Sequence, residues 1–257
     1  TMATASQNDT RRTTLVLLGR KGDGKSASGN TMLGRPCFST KFRASNILTT
    51  CAKQTTHDLP NFTEVNVIDT PGMFNTDIPD AEVEQELSRV FELAAAEGGI
   101  DAFLIVLRAE RFTAELRNTI KYVKELFGPD VMKYAVLVFA GLDNLEYDGL
   151  TFEEFIQNMP KELAEDLLEL KMGFNNRSAS DEEKQQQATR LLSLVSQLHN
   201  TTKYTVDNVP SESPMHRWVT HSSNGPPPTT EPSYNKLQKV VPVPIRSFTK
   251  KITVKKK

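Results

Sequence analysis

Cysteine is scarce in this chain: Cys37 and Cys51 are the only two among 257 residues. They cannot build a disulfide framework for a chain of this length, and their spacing fits no metal-binding pattern. Histidine is thin as well. His57, His199, His216 and His221 are scattered, and none has a partner at a spacing suited to acid–base chemistry. No run approaches 18 apolar residues, so no transmembrane helix is expected. Residues 1–12 are polar and lack the apolar centre of a secretion signal. Net charge is nearly absent too, at −1, but it is unevenly spread. From Asp207 onward nine Lys/Arg face three Asp/Glu, a balance of +6 that leaves the rest at −7. A basic tail on an acidic body argues against a large nucleic-acid footprint. What remains is 38% hydrophobic and 25% charged residues, the balance of a globular protein. The length allows one domain of roughly 200 residues plus tails.

The most informative stretch is Leu15 to Ser26, which reads as a buried strand, a glycine-rich turn and the start of a helix. Gly19 and Gly24-Lys25-Ser26 fit G-x-x-x-x-G-K-[ST]. A polyphosphate needs several backbone N–H donors converging on it, and glycines let the chain wrap that closely. The helix opening at Lys25 adds its positive dipole end. This assigns Gly19, Arg20, Lys21, Gly22, Asp23, Gly24, Lys25, Ser26 and Ala27 to a phosphate loop. Lys25 is placed on the β/γ-phosphates, where it also serves catalysis, and the Ser26 hydroxyl on Mg²⁺.

The remaining pattern alternates strands and helices. Thr13–Leu18, Glu64–Asp69, Ala102–Leu107 and Tyr134–Ala140 read as strands, with a short edge strand at Lys53–Asp58 and another near Gly173–Asn175. Helices are expected over Lys25–Leu33, Asp80–Ala96, from an N-cap at Thr113 to Phe127, within 151–171, and after the capping box Ser180-Asp181-Glu182-Glu183. Residues 35–52 read as a long loop. The expected organisation is a disordered start at 1–12, one α/β domain over 13–205, and a Pro/Ser/Thr-rich basic tail, linker or disordered, over 206–257. The fold class is a three-layer α/β P-loop fold with a mostly parallel six-stranded sheet and helices on both faces.

A second motif narrows the chemistry. Asp69-Thr70-Pro71-Gly72 ends an apolar strand 43 positions after Ser26. An acidic residue there can hold Mg²⁺ through water, and the Gly72 N–H can meet the γ-phosphate. Loss of that phosphate then releases the segment that follows. A Mg²⁺-nucleotide protein works in a reducing compartment, so both cysteines read as free thiols and the expected place is the cytoplasm.

The stretches Gly19–Gly34, Asp69–Phe74, Arg111-Phe112-Thr113 and Phe174-Asn175-Asn176-Arg177 together resemble the AIG-type GTPases, the GTPases of immunity-associated proteins (GIMAP-like). The resemblance covers roughly residues 12–205 and extends to septins and chloroplast import-receptor GTPases. It implies a Ras-like sheet that binds GTP or GDP with Mg²⁺ and dimerises through its nucleotide face. It also implies frequent peripheral association with intracellular membranes, for which the five lysines of Lys250–Lys257 offer a basic contact. By the same resemblance Thr40 meets nucleotide in the first switch, Thr49 senses Mg²⁺ beside Ser26 and Asp69, and Arg111 acts catalytically across a dimer.

The chain departs from the family pattern at the base. After its fifth strand the family carries a lysine and then an aspartate. Here Leu142 stands for the lysine and Asn144 for the aspartate, with Asp143 one position early. Asp143, Asn144, Asn175 and Asn176 are the base-contact candidates. Met73 follows the second motif where Ras-like enzymes place a water-orienting glutamine, so turnover is expected to be slow. Three readings stay open: a slow GTPase switch, a nucleotide-loaded scaffold of relaxed specificity with little hydrolysis, and an ATP-using enzyme.

Overall fold

A computed structural model describes residues 11–40, 50–75, 79–110, 114–159, 170–198 and 202–220. Six strands form one sheet: β1 (Arg11–Leu18), β2 (Ala52–Thr56), β3 (Phe62–Asp69), β4 (Ala102–Arg108), β5 (Ala135–Ala140) and β6 (Lys171–Phe174). Their spatial order is β2-β3-β1-β4-β5-β6. All neighbours run parallel except β2, which pairs antiparallel with β3 at the edge. The expected α/β class, with helices on both faces of a mostly parallel sheet, is therefore what the chain forms.

The continuous apolar runs of β1, β4 and β5 follow from burial on both faces. On one face Val16, Phe103 and Phe139 pack beneath α2 (Asp80–Ala95) and α3 (Ala114–Phe127). On the other, Leu17, Leu104 and Val138 pack beneath α1 (Lys25–Leu33) and the long helix α6 (Asp181–Val195). The Ser180 hydroxyl accepts from Glu183 N at 3.2 Å and the Glu183 carboxylate accepts from Ser180 N, the reciprocal cap expected from the sequence.

Several boundaries differ from expectation. The edge strand begins at Ala52 and ends at Thr56, and β6 starts two residues early, at Lys171. Leu142–Tyr147 forms a short helix, α4, that periodicity does not suggest in so few residues. Phe152–Gln157 forms α5, capped by the Thr151–Glu154 box. The larger correction concerns the boundary at 205/206. Folded chain continues through a 3₁₀ turn at Val206–Asn208 and a helix α7 at Pro214–Thr220. Proline and serine content hides the anchors. Tyr204 is fully buried and its hydroxyl donates to the Phe127 carbonyl. Met215 is fully buried, and the Trp218 indole N–H donates to the Glu84 carboxylate of α2 at 3.4 Å. Tyr122 of α3 donates to the same carboxylate at 3.1 Å, so one buried acid ties three helices. No helix among the described residues is long and apolar enough to cross a membrane.

Candidate nucleotide site

The phosphate loop leaves β1 at Leu18 and turns back into α1. Gly24, the residue before the helix, sits in the left-handed region at φ 98, which only glycine adopts cheaply. No side chain caps α1. The amides of its first turn are therefore open to an anion, as helix N-termini leave them.

Lys25 is 6% exposed, and its Nζ donates to the carbonyls of Gly19 at 3.2 Å and Arg20 at 2.9 Å. Those bonds fold the ammonium back into the mouth of the loop. Burial pulls its pKa down, and Asp69 and then Asp23 oppose that pull. A bound polyphosphate would add counter-charge to this buried cation.

Ser26 Oγ donates to Asp69 Oδ2 at 2.6 Å. Asp69 is fully buried; burial raises its pKa, while the Ser26 hydroxyl, Lys25 and the Thr70 amide hold it down. A hydroxyl and a carboxylate side by side beside a phosphate loop are hard oxygen donors, the set that Mg²⁺ takes together with water and phosphate. The residues present therefore fit that ion. Ser26 and Asp69 would hold it, and it would neutralise phosphate charge there.

The second motif is laced to the first. Thr70 Oγ1 donates to the Leu17 carbonyl at 2.6 Å, Met73 N to the Gly19 carbonyl at 3.0 Å, and Lys21 N to the Met73 carbonyl at 3.3 Å. These bonds bring Gly72 against the backbone of Lys21. Met73, singled out in the sequence as standing where a water-orienting side chain belongs, is fully buried in the core under α2 and α3. It anchors the segment from inside the core.

Other loop side chains point outward or knit the loop. Arg20 pairs with Glu115 of α3 and lies 5.9 Å from the Phe74 ring centre. Lys21 is exposed. Asp23 Oδ2 accepts from Arg20 N at 3.3 Å, and burial raises its pKa. That carboxylate puts a negative charge inside a loop built for anions. We expect Asp23→Asn to keep the acceptor for Arg20 N–H and to tighten diphosphate binding at pH 7 by about 1 kcal/mol, roughly fivefold. Calorimetry in low salt reads this directly, and the gap from wild type should narrow as pH falls and the Asp23 carboxyl protonates. Weaker binding by the variant would show that the loop needs the charge.

Arg108, which the sequence pattern does not single out as it does Arg111, reaches the phosphate loop. It ends β4, and its Nη1 donates to the Gly22 carbonyl at 3.4 Å. The only hint of it is an arginine closing an apolar strand beside the loop strand. Arg111 and Thr49 lie outside the described residues. Thr40 is exposed and, among the described residues, forms no hydrogen bond with the phosphate loop.

At the base end, the first turn of α4 faces the loop after β6. Asn176 reaches α1, where it donates to Ser28 Oγ at 3.0 Å and accepts from Thr31 Oγ1 at 2.7 Å. Asn175 closes its own turn, accepting from the amides of Arg177 and Ser178. Asp143 Oδ2 lies 3.9 Å from the Arg177 guanidinium. Ala27 and Ser28 follow on α1, so the two ends of the site share that helix.

The profile of the AIG1 family matches residues 13–221. The chain belongs to the AIG1 family. Among curated relatives, it is 41% identical over 189 residues to immune-associated nucleotide-binding protein 12 of Arabidopsis thaliana, covering 72% of this chain and 47% of that protein. Immune-associated nucleotide-binding protein 9 of the same plant is 35% identical over 195 residues, 74% of this chain and 56% of that one. The chain thus spans about half the length of these relatives. Among solved structures, Toc33 from Arabidopsis thaliana with GDP and Mg²⁺ superimposes with a TM-score of 0.52 at 16% identity, over 74% of this chain and 87% of that one. Era with MgGDPNP and a fragment of 16S ribosomal RNA gives 0.51 at 15% identity, over 79% and 61%. At these identities the likeness is one of fold, that of P-loop GTPases.

Proposed function

We propose that this AIG1-family chain is a Mg²⁺-dependent guanine-nucleotide-binding switch that takes GTP and GDP, hydrolyses GTP slowly, and pairs with a second copy through its nucleotide face. The observation that carries the reading is the Lys25–Ser26–Asp69 arrangement: a buried ammonium at the mouth of the loop, beside a hydroxyl–carboxylate pair 2.6 Å apart. The open amides of α1 receive the phosphates, Lys25 offsets their charge, and Ser26 with Asp69 holds the ion. The segment from Thr70 to Phe74 is the moving part. Its bonds to Gly19 and Lys21 lie beside the γ-phosphate position, so loading and loss of that phosphate change what it is bonded to. Relatives support the direction. Toc33 has been solved with GDP and Mg²⁺, and dimerisation is described as important for the GTPase activity of the chloroplast translocon components atToc33 and psToc159.

A second reading, a loaded scaffold with little turnover, is favoured by the burial of Met73, which leaves that position unable to orient water. One experiment separates the two. Affinities for GTP, GDP and ATP are measured with and without Mg²⁺, and phosphate release is followed against protein concentration. A switch that pairs through its nucleotide gives Mg²⁺-dependent binding and a specific rate that rises with concentration. Tight binding without release supports the scaffold. No binding of any of the three discards both.

A further inference from the structure

The phosphate end and the base end of this site are separated by a single strand. In the sheet order β2-β3-β1-β4-β5-β6, the phosphate loop leaves β1, the base turn leaves β5, and β4 lies between them. A nucleotide laid from loop to turn along the carboxyl edge of the sheet therefore crosses the end of β4. That end is Arg108, in register with Ala140, the last residue of β5. Its guanidinium is held at two points: Nη1 donates to the Gly22 carbonyl at 3.4 Å, and Nε pairs with the Glu110 carboxylate. The side chain is still 50% exposed. The main chain around it is close-set. A Cβ on Gly19 would stand 2.3 Å from the Val106 carbonyl oxygen, and one on Gly24 would stand 3.0 Å from the Ala140 Cβ. The loop thus rests on the ends of β4 and β5, with Arg108 at the seam. Burial raises the pKa of Asp23 in the same loop, and Arg108 is among the cations that oppose the rise.

The turn after β5 brings no such cation of its own. Leu142 stands where a lysine was expected, and it turns into the fold, packed on Gly173 of β6 and against the core. Arg177 follows β6, one strand further from the phosphate loop; its side chain is 85% exposed and lies 3.9 Å from Asp143. We infer that Arg108 supplies from β4 the cation missing at Leu142: it clamps the Gly22 carbonyl and lays its guanidinium against the face of the bound purine. The inference rests on the nucleotide-binding reading above and adds a residue to it. The chemistry uses two properties of one group. A planar guanidinium stacks on a ring face while the N–H groups on its edge stay free for acceptors such as a main-chain carbonyl. Every base has a π-face, so this contact adds affinity without choosing among purines. The choice of guanine stays with the polar groups of the base turn.

The test is displacement of a fluorescent GDP analogue from the full chain by GDP and by pyrophosphate, both with Mg²⁺. It is run on wild type, Arg108→Ala, Arg108→Lys and Arg177→Ala, each checked for folding by circular dichroism. Pyrophosphate carries the phosphates and no ring, so the ratio of the two affinities isolates the contact with the base. Arg108→Ala should weaken GDP about five- to tenfold and leave pyrophosphate within about twofold. Arg108→Lys keeps the charge and a long stem and should recover part of the loss. Arg177→Ala should change neither ligand. Equal losses for GDP and pyrophosphate in Arg108→Ala would put Arg108 on the phosphates or in the architecture of the loop, and overturn the inference. Undiminished GDP binding by Arg108→Ala overturns it too, and a loss confined to Arg177→Ala gives the ring to Arg177. A wild type that binds neither GDP nor its analogue discards the nucleotide-binding reading itself.

Discussion

Replacing Lys25 with alanine is expected to remove measurable nucleotide binding while the sheet stays folded. The ammonium is the one buried cation at the mouth of the loop among the described residues, and it is aimed by the Gly19 and Arg20 carbonyls. Charge-assisted contacts to two phosphates are worth about 3–4 kcal/mol together, a loss of several hundredfold in affinity. The fold should bear the change. Lys25 has a large desolvation cost that alanine does not carry, and alanine is the best helix former for the first turn of α1. The carbonyls of Gly19 and Arg20 lose a donor, which water can supply in a loop that opens to solvent at Lys21 and Gly22. Titration calorimetry with GDP and thermal unfolding followed by circular dichroism read the two halves. Unchanged affinity would place the phosphates somewhere other than this loop. Lost affinity with a collapsed melting transition would make Lys25 a structural residue first.

The parts of this site that are legible in the sequence are those the backbone dictates. The spacing of Gly19, Gly24 and Lys25 is fixed by how closely a chain must wrap a phosphate, and Asp69 follows a strand too apolar to be anything but central. β4 and β5 are legible for the same reason, since a strand covered on both faces needs an unbroken apolar run. What escapes is decided by distant partners. α4 has no capping side chain and six residues. It forms because Gly141 adopts a left-handed turn, Leu142 packs on Gly173 and Leu145 is buried, and Gly173 lies some thirty positions further along. α7 sits in proline- and serine-rich text, where Met215 and Trp218 carry the burial and bonding that fasten it to α2. Met73 reads as a missing catalytic group in a linear alignment of motifs. The paired bonds of its backbone to Gly19 and Lys21 turn its side chain inward, which no local pattern records. Arg108 is passed over because a charged residue closing a strand is ordinary until the neighbouring strand delivers a phosphate loop beside it.

Gly72→Ala is expected to break the coupling between the two motifs. A Cβ on Gly72 would stand 2.5 Å from both the N and Cα of Lys21 and 2.8 Å from its Cβ. The two nearest are main-chain atoms and the third is the Cβ fixed to them, so no flexible side-chain end can step aside. Neither segment can retreat without losing the Met73 N to Gly19 O bond at 3.0 Å or the Lys21 N to Met73 O bond at 3.3 Å. Overpacking of this kind costs about 2–3 kcal/mol, a fall of roughly 4–12 °C in Tm for a domain of this size. Gly22→Ala is the informative comparison. Gly22 has φ +92 but open space around its Cβ position, so alanine there carries only the backbone penalty of about 1 kcal/mol. If crowding against Lys21 governs, Gly72→Ala melts well below Gly22→Ala. On the proposed function it should also lose discrimination between GTP and GDP, because the segment assigned to the γ-phosphate would be pushed off the loop. Equal melting of the two variants would mean that Gly72 sits loosely on Lys21, and the segment from Thr70 to Phe74 could not then report which nucleotide is bound.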